Sequence, residues 1–196
     1  MKLPNCIFAG MDEAGRGSWA GPVVAAAVIL PKPCRLPGLT DSKLIPLAKR
    51  EVLFDLIMKK AQVGVGMASH QEVDDHGLLH ATFKAYERAL EDLDALPEHL
   101  LIDGRDKFTF KFPHTSIIKG DLKIRAISAA SVIAKVTRDR IMLDWAQDLP
   151  DYGFEKHKGY GTKFHQDALA AFGPSRIHRL TYQPLQKLKW AQNAFL

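Results

Sequence analysis

Four carboxylates, Asp12, Glu13, Asp103 and Asp121, each close a short apolar run, and this recurrence is what most constrains the fold. The runs 6–11, 100–102 and 116–118 have the length and residue types of strands. Strands laid side by side bring their end residues to one edge of a sheet, so acids far apart in sequence are expected to gather. Clustered carboxylates repel one another, and such a cluster is stable only where cations offset the charge. All-oxygen ligation suits Mg2+ or Mn2+, and two such ions about 4 Å apart can activate a water and stabilise the leaving oxygen of a phosphodiester. Any one of these acids beside its glycine could be an ordinary turn residue. The fourfold recurrence carries the inference.

The first pair lies in Gly10-Met11-Asp12-Glu13-Ala14-Gly15-Arg16-Gly17, where bare backbone beside two acids lets a substrate approach closely. The run 23–30, entered through Gly21-Pro22, reads as a second strand pairing with the first as a hairpin. A Pro- and Gly-rich loop follows at 31–38, then a helix from Pro46 to about Lys60. Val63, Val65 and Met67 alternate as a short strand, and Ser69-His70-Gln71-Glu72 has capping-box form. Leu79, Phe83, Tyr86, Leu90 and Leu93 form one helical face, read as core rather than as part of a cofactor site. A long helix is expected over 122–147 with Ile127, Ala130, Ala134, Ile141 and Trp145 as its packing stripe. After Pro150 the chain turns basic and aromatic, with a short helix at about 163–171 ended by Gly173-Pro174.

Charge is unevenly spread. Residues 1–104 carry 11 Lys or Arg against 14 Asp or Glu, a net −3; residues 105–196 carry 16 against 8, a net +8. A basic half suits a phosphate-rich partner. With 196 residues and 46% hydrophobic content, one catalytic domain is expected: a core over about 1–149 and a basic helical extension over about 150–196. No run of eighteen apolar residues or signal peptide is evident, so a soluble, cytoplasmic protein without a membrane partner is expected. Cys6 and Cys34 are too few for a disulfide framework.

Three rival chemistries fail on the residues. Gly15-Arg16-Gly17-Ser18-Trp19-Ala20 fits a dinucleotide fingerprint, yet Gly21-Pro22 and a strand follow where a helix must start. No Gly-Lys-Ser or Gly-Lys-Thr exists for a Walker loop. His157, His165 and His178 lack the cysteine or Glu companions of a zinc site. His157 and Lys158 read instead as phosphate contacts or plain surface.

Taken together, the chain resembles the ribonuclease HII family, type 2 ribonuclease H in its bacterial form, in six ordered blocks: 10–17 with 20–23; Asp41-Ser42-Lys43; Leu101-Ile102-Asp103-Gly104; Lys119-Gly120-Asp121; 128–139; and 157–162. The resemblance implies an α/β, RNase H-like fold, a mixed central sheet flanked by helices with a small helical C-terminal portion. It implies an endoribonuclease that cuts RNA in RNA/DNA hybrids and nicks duplex DNA 5′ to a single embedded ribonucleotide, leaving 3′-hydroxyl and 5′-phosphate ends. Asp12, Glu13, Asp103 and Asp121 would hold two Mn2+ or Mg2+ ions. The Gly15, Arg16 and Gly17 backbone would sense the ribose 2′-hydroxyl, and Tyr160 would stack on the deoxyribose at the RNA-to-DNA junction. Lys43, Ser128, Lys135 and Arg138 would contact phosphates or support those that do. The family often has a serine where Leu122 stands and more lysines where Leu44-Ile45 stand, which bears on rate and salt dependence. Roles in ribonucleotide excision and primer removal, as a monomer, are implied. A hybrid-binding module of the same fold would be expected to lose an acid. A junction resolvase would not be expected to carry the tyrosine and Gly-Arg-Gly pair.

Overall fold

The computed structural model describes residues 6–40, 42 and 45–187; Asp41, Lys43 and Leu44 are outside the described residues, as are both ends of the chain. Its centre is a mixed five-stranded sheet in the order β3-β2-β1-β4-β5. β1 (Phe8–Ala14), β2 (Val23–Ile29) and β3 (Gln62–Ala68) form an antiparallel meander, while β4 (His99–Asp103) and β5 (His114–Ile117) run parallel to β1.

β2 explains how the core is layered. Its sequence Val-Val-Ala-Ala-Ala-Val-Ile is apolar throughout because both faces are covered. Val23, Ala25 and Ala27 pack with Ala81, Ala85, Tyr86 and Leu90 of α3 (Leu78–Glu91). Ala26 and Val28 face the other way, toward Leu53 and Ile57 of α1 (Leu47–Lys60) and Ala129 to Val136 of α4 (Arg125–Asp148). β1 follows the same alternation. Met11 packs on the α3 side, whereas Gly10 faces α4 so closely that a Cβ there would lie 2.2 Å from the Ala126 carbonyl carbon.

Several expected elements are displaced. β1 runs on through Asp12 and Glu13, so the pair stands on the strand rather than beyond it. The capping box forms, with Ser69 Oγ accepting from Glu72 N and Glu72 Oε2 from Ser69 N. It opens a separate helix, α2 (His70–His76), which ends at Gly77 with φ +81° before α3 begins. Leu79 therefore faces solvent, and Leu93 packs in the core beyond the end of α3. The long helix starts at Arg125, later than expected. Ile127, Ala130 and Ala134 are buried, but Met142 is the fully buried residue of the next turns, with Ile141 and Trp145 only half-buried. The stripe shifts because α4 leaves the sheet there and meets the C-terminal segment, where Met142 joins Ala20, Tyr152, Phe154, Leu169 and Ile177 in a further apolar cluster.

That segment holds α5 (Phe154–His157), α6 (Lys163–Phe172) and α7 (Gln183–Lys187). A single bridge joins Ala20 to His178, and Trp19 N donates to Gly159 O at 2.8 Å. The loop between β1 and β2 is thereby tied to the C-terminal elements. No helix among the described residues is long and apolar enough to cross a membrane.

Candidate active site

Asp12 and Glu13 are consecutive on β1, so their side chains leave opposite faces of the sheet. Asp12 is buried on the α4 side, where the Ser131 hydroxyl bonds it and its Oδ1 accepts from Glu13 N at 2.7 Å. Glu13 projects to the α3 side, where Oε2 accepts from the Tyr86 hydroxyl and Oε1 lies 3.3 Å from Arg16 Nη1. Tyr86 is buried in the core as its stripe suggests, yet its hydroxyl reaches the site. An apolar periodicity gives no signal for such a role.

β4 delivers the third acid. Its parallel register sets Met11 beside Ile102, and one step further places Asp103 next to Asp12. Asp103 Oδ1 accepts from Gly120 N at 2.6 Å, which ties β4 to the 3-10 turn Gly120–Leu122 that carries Asp121. Asp121 therefore belongs to a turn three residues past β5, not to the strand end itself. Ser128 supports that turn from below: its buried hydroxyl donates to the Asp121 carbonyl at 2.5 Å.

Burial pushes the Asp12 carboxyl well above the usual carboxylate range, and the charges of Glu13 and Asp103 push it further. Burial raises Glu13 as well, against the opposing pull of Tyr86 and Arg16. Tyr86 is raised well above its ordinary value by burial and by the neighbouring Glu13 and Asp12 charges. Bringing a cation among these groups would relieve both the burial and the repulsion. Among the described residues no three His, Cys, Asp or Glu side chains converge as a ready-made coordination shell. The donor set nevertheless fits a hard divalent ion, since Asp12, Glu13, Asp103 and Asp121 offer only oxygen.

Beside the acids opens a cleft of about 490 Å3, lined by Asp12, Glu13, the 15–17 turn, Ser42, Ser131, Lys135 and Tyr160. The structure thus brings the Gly-Arg-Gly turn and Tyr160 to one place. The Tyr160 ring is partly exposed, and a Cβ on Gly17 would stand 4.0 Å from it. Lys135 Nζ lies 5.8 Å from the ring centroid while pairing with Asp139 at 2.6 Å. Arg16 spans from Glu13 to Asp106 Oδ2, 2.5 Å away, a partner the sequence gives no reason to choose.

Arg138, Ser128 and His157 do not line the cleft. Arg138 is wholly buried, its guanidinium donating to the carbonyls of Pro22, Lys158 and Ala20 at 2.9, 2.9 and 3.0 Å, so it faces no phosphate. Neither a phosphate contact nor surface, His157 is buried: Nδ1 accepts from Gly159 N, Nε2 donates to Tyr152 O, and the ring stacks on His165 at 4.4 Å. Ser128 bonds backbone rather than the cleft. Lys158 is half-buried with φ +51° and is not among the residues lining the cleft. Lys43 is among the residues not described.

Comparison with known proteins shows the family and the fold. The family model described as Ribonuclease HII matches residues 9–191. Ribonuclease HII of Bacillus cytotoxicus is 51% identical over 182 residues, spanning 92% of this chain and 70% of the relative. That of Thermotoga maritima is 48% identical over 182 residues, spanning 93% and 75%. Among solved structures, ribonuclease H2 of Pyrococcus horikoshii superposes with a TM-score of 0.77 at 27% identity, covering 92% of this chain and 95% of that one. The RNase HII that Archaeoglobus fulgidus pairs with PCNA gives 0.78 at 25% identity, covering 95% and 98%. With about half of the aligned residues identical to the two bacterial relatives over more than nine-tenths of its length, and with Asp12, Glu13 and Asp103 seated on an RNase H-like sheet, the chain is an endoribonuclease belonging to the ribonuclease HII family.

Proposed function

We propose that this catalytic domain cleaves the RNA strand of RNA/DNA hybrids and nicks duplex DNA on the 5′ side of a single embedded ribonucleotide, leaving 3′-hydroxyl and 5′-phosphate ends. One observation carries the reading: the two acids on β1 line the same cleft as a glycine-flanked turn and a partly exposed tyrosine, with Asp103 on the neighbouring strand β4. Asp12, Glu13, Asp103 and Asp121 would hold two divalent cations, Mg2+ or Mn2+, which when bound supply an activated water and charge at the leaving oxygen. The chain's own groups do the rest. Ser131, Tyr86 and Gly120 N orient Asp12, Glu13 and Asp103, and Lys135 on the cleft wall attracts a phosphate.

Selectivity comes from the turn and the ring. The 2′-hydroxyl alone marks one ribonucleotide within DNA, and main-chain groups of Gly15, Arg16 and Gly17 can reach it where no Cβ intrudes. Tyr160 would stack on the adjoining deoxyribose and exclude a second 2′-hydroxyl. The activity so described serves ribonucleotide excision and primer removal in the cytoplasm, carried out by a monomer.

The test is cleavage of a labelled DNA duplex holding one ribonucleotide, with Mg2+, with Mn2+ and with chelator, mapping the cut. A metal-dependent nick immediately 5′ to the ribonucleotide is expected. Asp103→Asn should fold and lose at least about 100-fold in rate, since removing a charge from the ligand set weakens every step that depends on it. Wild-type cleavage by that variant at saturating Mg2+ removes Asp103 from the ligands, and binding without cleavage by the native chain makes it a hybrid-binding module.

A further inference from the structure

Two fully buried arginines lie beneath the cleft, Arg138 on α4 and Arg179 in the C-terminal segment. Neither has a carboxylate partner within ion-pair distance among the described residues. Buried guanidinium groups ordinarily require one. Here backbone carbonyls take that place. Arg138 holds Ala20, Pro22 and Lys158; Arg179 donates through Nε and Nη2 to Gly21 O at 3.0 and 2.8 Å, and through Nη1 to Arg16 O at 3.1 Å. The Tyr182 hydroxyl donates to the same Arg16 carbonyl at 2.7 Å and accepts from Arg179.

These bonds turn carbonyls of the β1–β2 loop inward, toward the two cations. The loop is the one that begins with the Gly15-Arg16-Gly17 turn, and Arg138 also binds the segment that precedes Tyr160. The Arg138 Cζ sits 5.6 Å from the Tyr160 ring centroid. Gly15, at φ +95°, rests directly on it: a Cβ there would lie 2.0 Å from Arg138 Nε. Gly17 meets nothing closer than the Tyr160 ring, so the two glycines of the turn serve different neighbours. Burial lowers Arg138 only to about 10, which leaves it charged at neutral pH.

We propose that Arg138 and Arg179 form a clamp that fixes the spacing and orientation of the 15–17 turn against the Tyr160 ring, and thereby sets selectivity for a single ribonucleotide. Both are positioning residues. The proposal rests on the reading of the turn and Tyr160 given under Proposed function. A displacement of about 1 Å in a positioned group can cost about 100-fold in rate, so a loosened clamp should show in selectivity before it abolishes cleavage. A lysine at 138 cannot reach three carbonyls as a planar fork does.

The experiment measures kcat/KM on a DNA duplex with one ribonucleotide and on a uniform RNA/DNA hybrid, together with Tm, for Arg138→Lys, Tyr182→Phe and Tyr160→Ala. The clamp predicts that the junction-to-hybrid ratio falls about tenfold or more in Arg138→Lys, and by less in Tyr182→Phe, which loses only the hydroxyl on Arg16 O. Should Arg138→Lys fail to fold, Tyr182→Phe decides alone. If Tyr160→Ala loses junction selectivity while the folded clamp variants lower Tm and leave the ratio unmoved, the arginines are merely structural and the clamp is refuted. If Tyr160→Ala also leaves the ratio unmoved, the reading of Tyr160 fails and the clamp falls with it.

Discussion

At the scale of single residues, the site depends on partners that carry no signal of their own. Tyr86 belongs to an i, i+3 apolar series, and nothing local distinguishes a core tyrosine from one whose hydroxyl holds an acid of the proposed site. Its bond is consequential because Glu13 is buried and its other oxygen already faces Arg16. Removing the hydroxyl leaves a buried carboxylate short of a donor, free to rotate away from the ligand position. Tyr86→Phe is therefore expected to keep its fold, since the ring contacts with Phe108 and Phe110 persist. It should raise the Mg2+ concentration for half-maximal cleavage by about 10- to 100-fold, the usual effect of losing a ligand's supporting hydrogen bond. A Mg2+ titration of cleavage decides this, and an unchanged midpoint would show that Arg16 alone suffices to hold Glu13.

At the scale of elements, most of the sheet is legible because strand length, β-branched content and glycine punctuation agree locally, as they do for β2 and β3. Asp12, Glu13 and Asp103 come to neighbouring strands as their apolar runs suggest, whereas Asp121 sits in a turn past β5; Ser131 and Tyr86 reach the acids, and Asp106 reaches Arg16, only through tertiary packing. Boundaries shifted where packing overrode periodicity. Leu79 and Ile141 look like core on a helical wheel, but α2 breaks at Gly77 and α4 passes from the sheet to the C-terminal segment, so the buried face rotates. Gly10 shows how tightly two elements depend on one residue. Its missing side chain lets α4 descend onto β1, which sets Ser131 against Asp12. Gly10→Ala would put a methyl 2.2 and 2.3 Å from the backbone of Ala126 and Ile127, atoms that cannot swing aside. Forced overpacking of this kind costs about 1–3 kcal/mol or more. The urea midpoint is expected to fall accordingly, with cleavage reduced even below that midpoint as α4 withdraws from the acids; native stability in this variant would mean that the helix can slide without penalty.

At the scale of the whole molecule, the C-terminal segment that packs on the β1–β2 loop is held together internally by uncharged histidines, and this gives folding a pH dependence of definite sign. Ser175 N donates to His178 Nδ1 at 2.8 Å, so His178 carries its proton on Nε2 and donates to His165 Nε2 at 2.9 Å. His165 in turn donates through Nδ1 to the Tyr160 carbonyl at 3.0 Å. Every position in this chain requires neutral rings. Burial, followed by the mutual influence of the imidazoles, lowers His165 to about 4 and His178 to about 3. In the unfolded chain both titrate near 6.5, so as pH falls below that value the unfolded state takes up protons that the folded state refuses, and stability declines until the folded rings themselves protonate near pH 3–4. Above about pH 7.5 the contribution is complete and flat. Urea midpoints should therefore fall steadily from pH 7.5 to pH 5, by an amount equivalent to a few kcal/mol. Asp12 and Glu13, raised by burial, act with the opposite sign, because a folded state that holds protons gains stability as pH falls. Comparison with His165→Gln separates the two: the variant should be less stable at pH 7.5 yet show a shallower decline toward pH 5. An equal slope in both proteins would place the pH dependence elsewhere than in the histidine chain that ends on Tyr160.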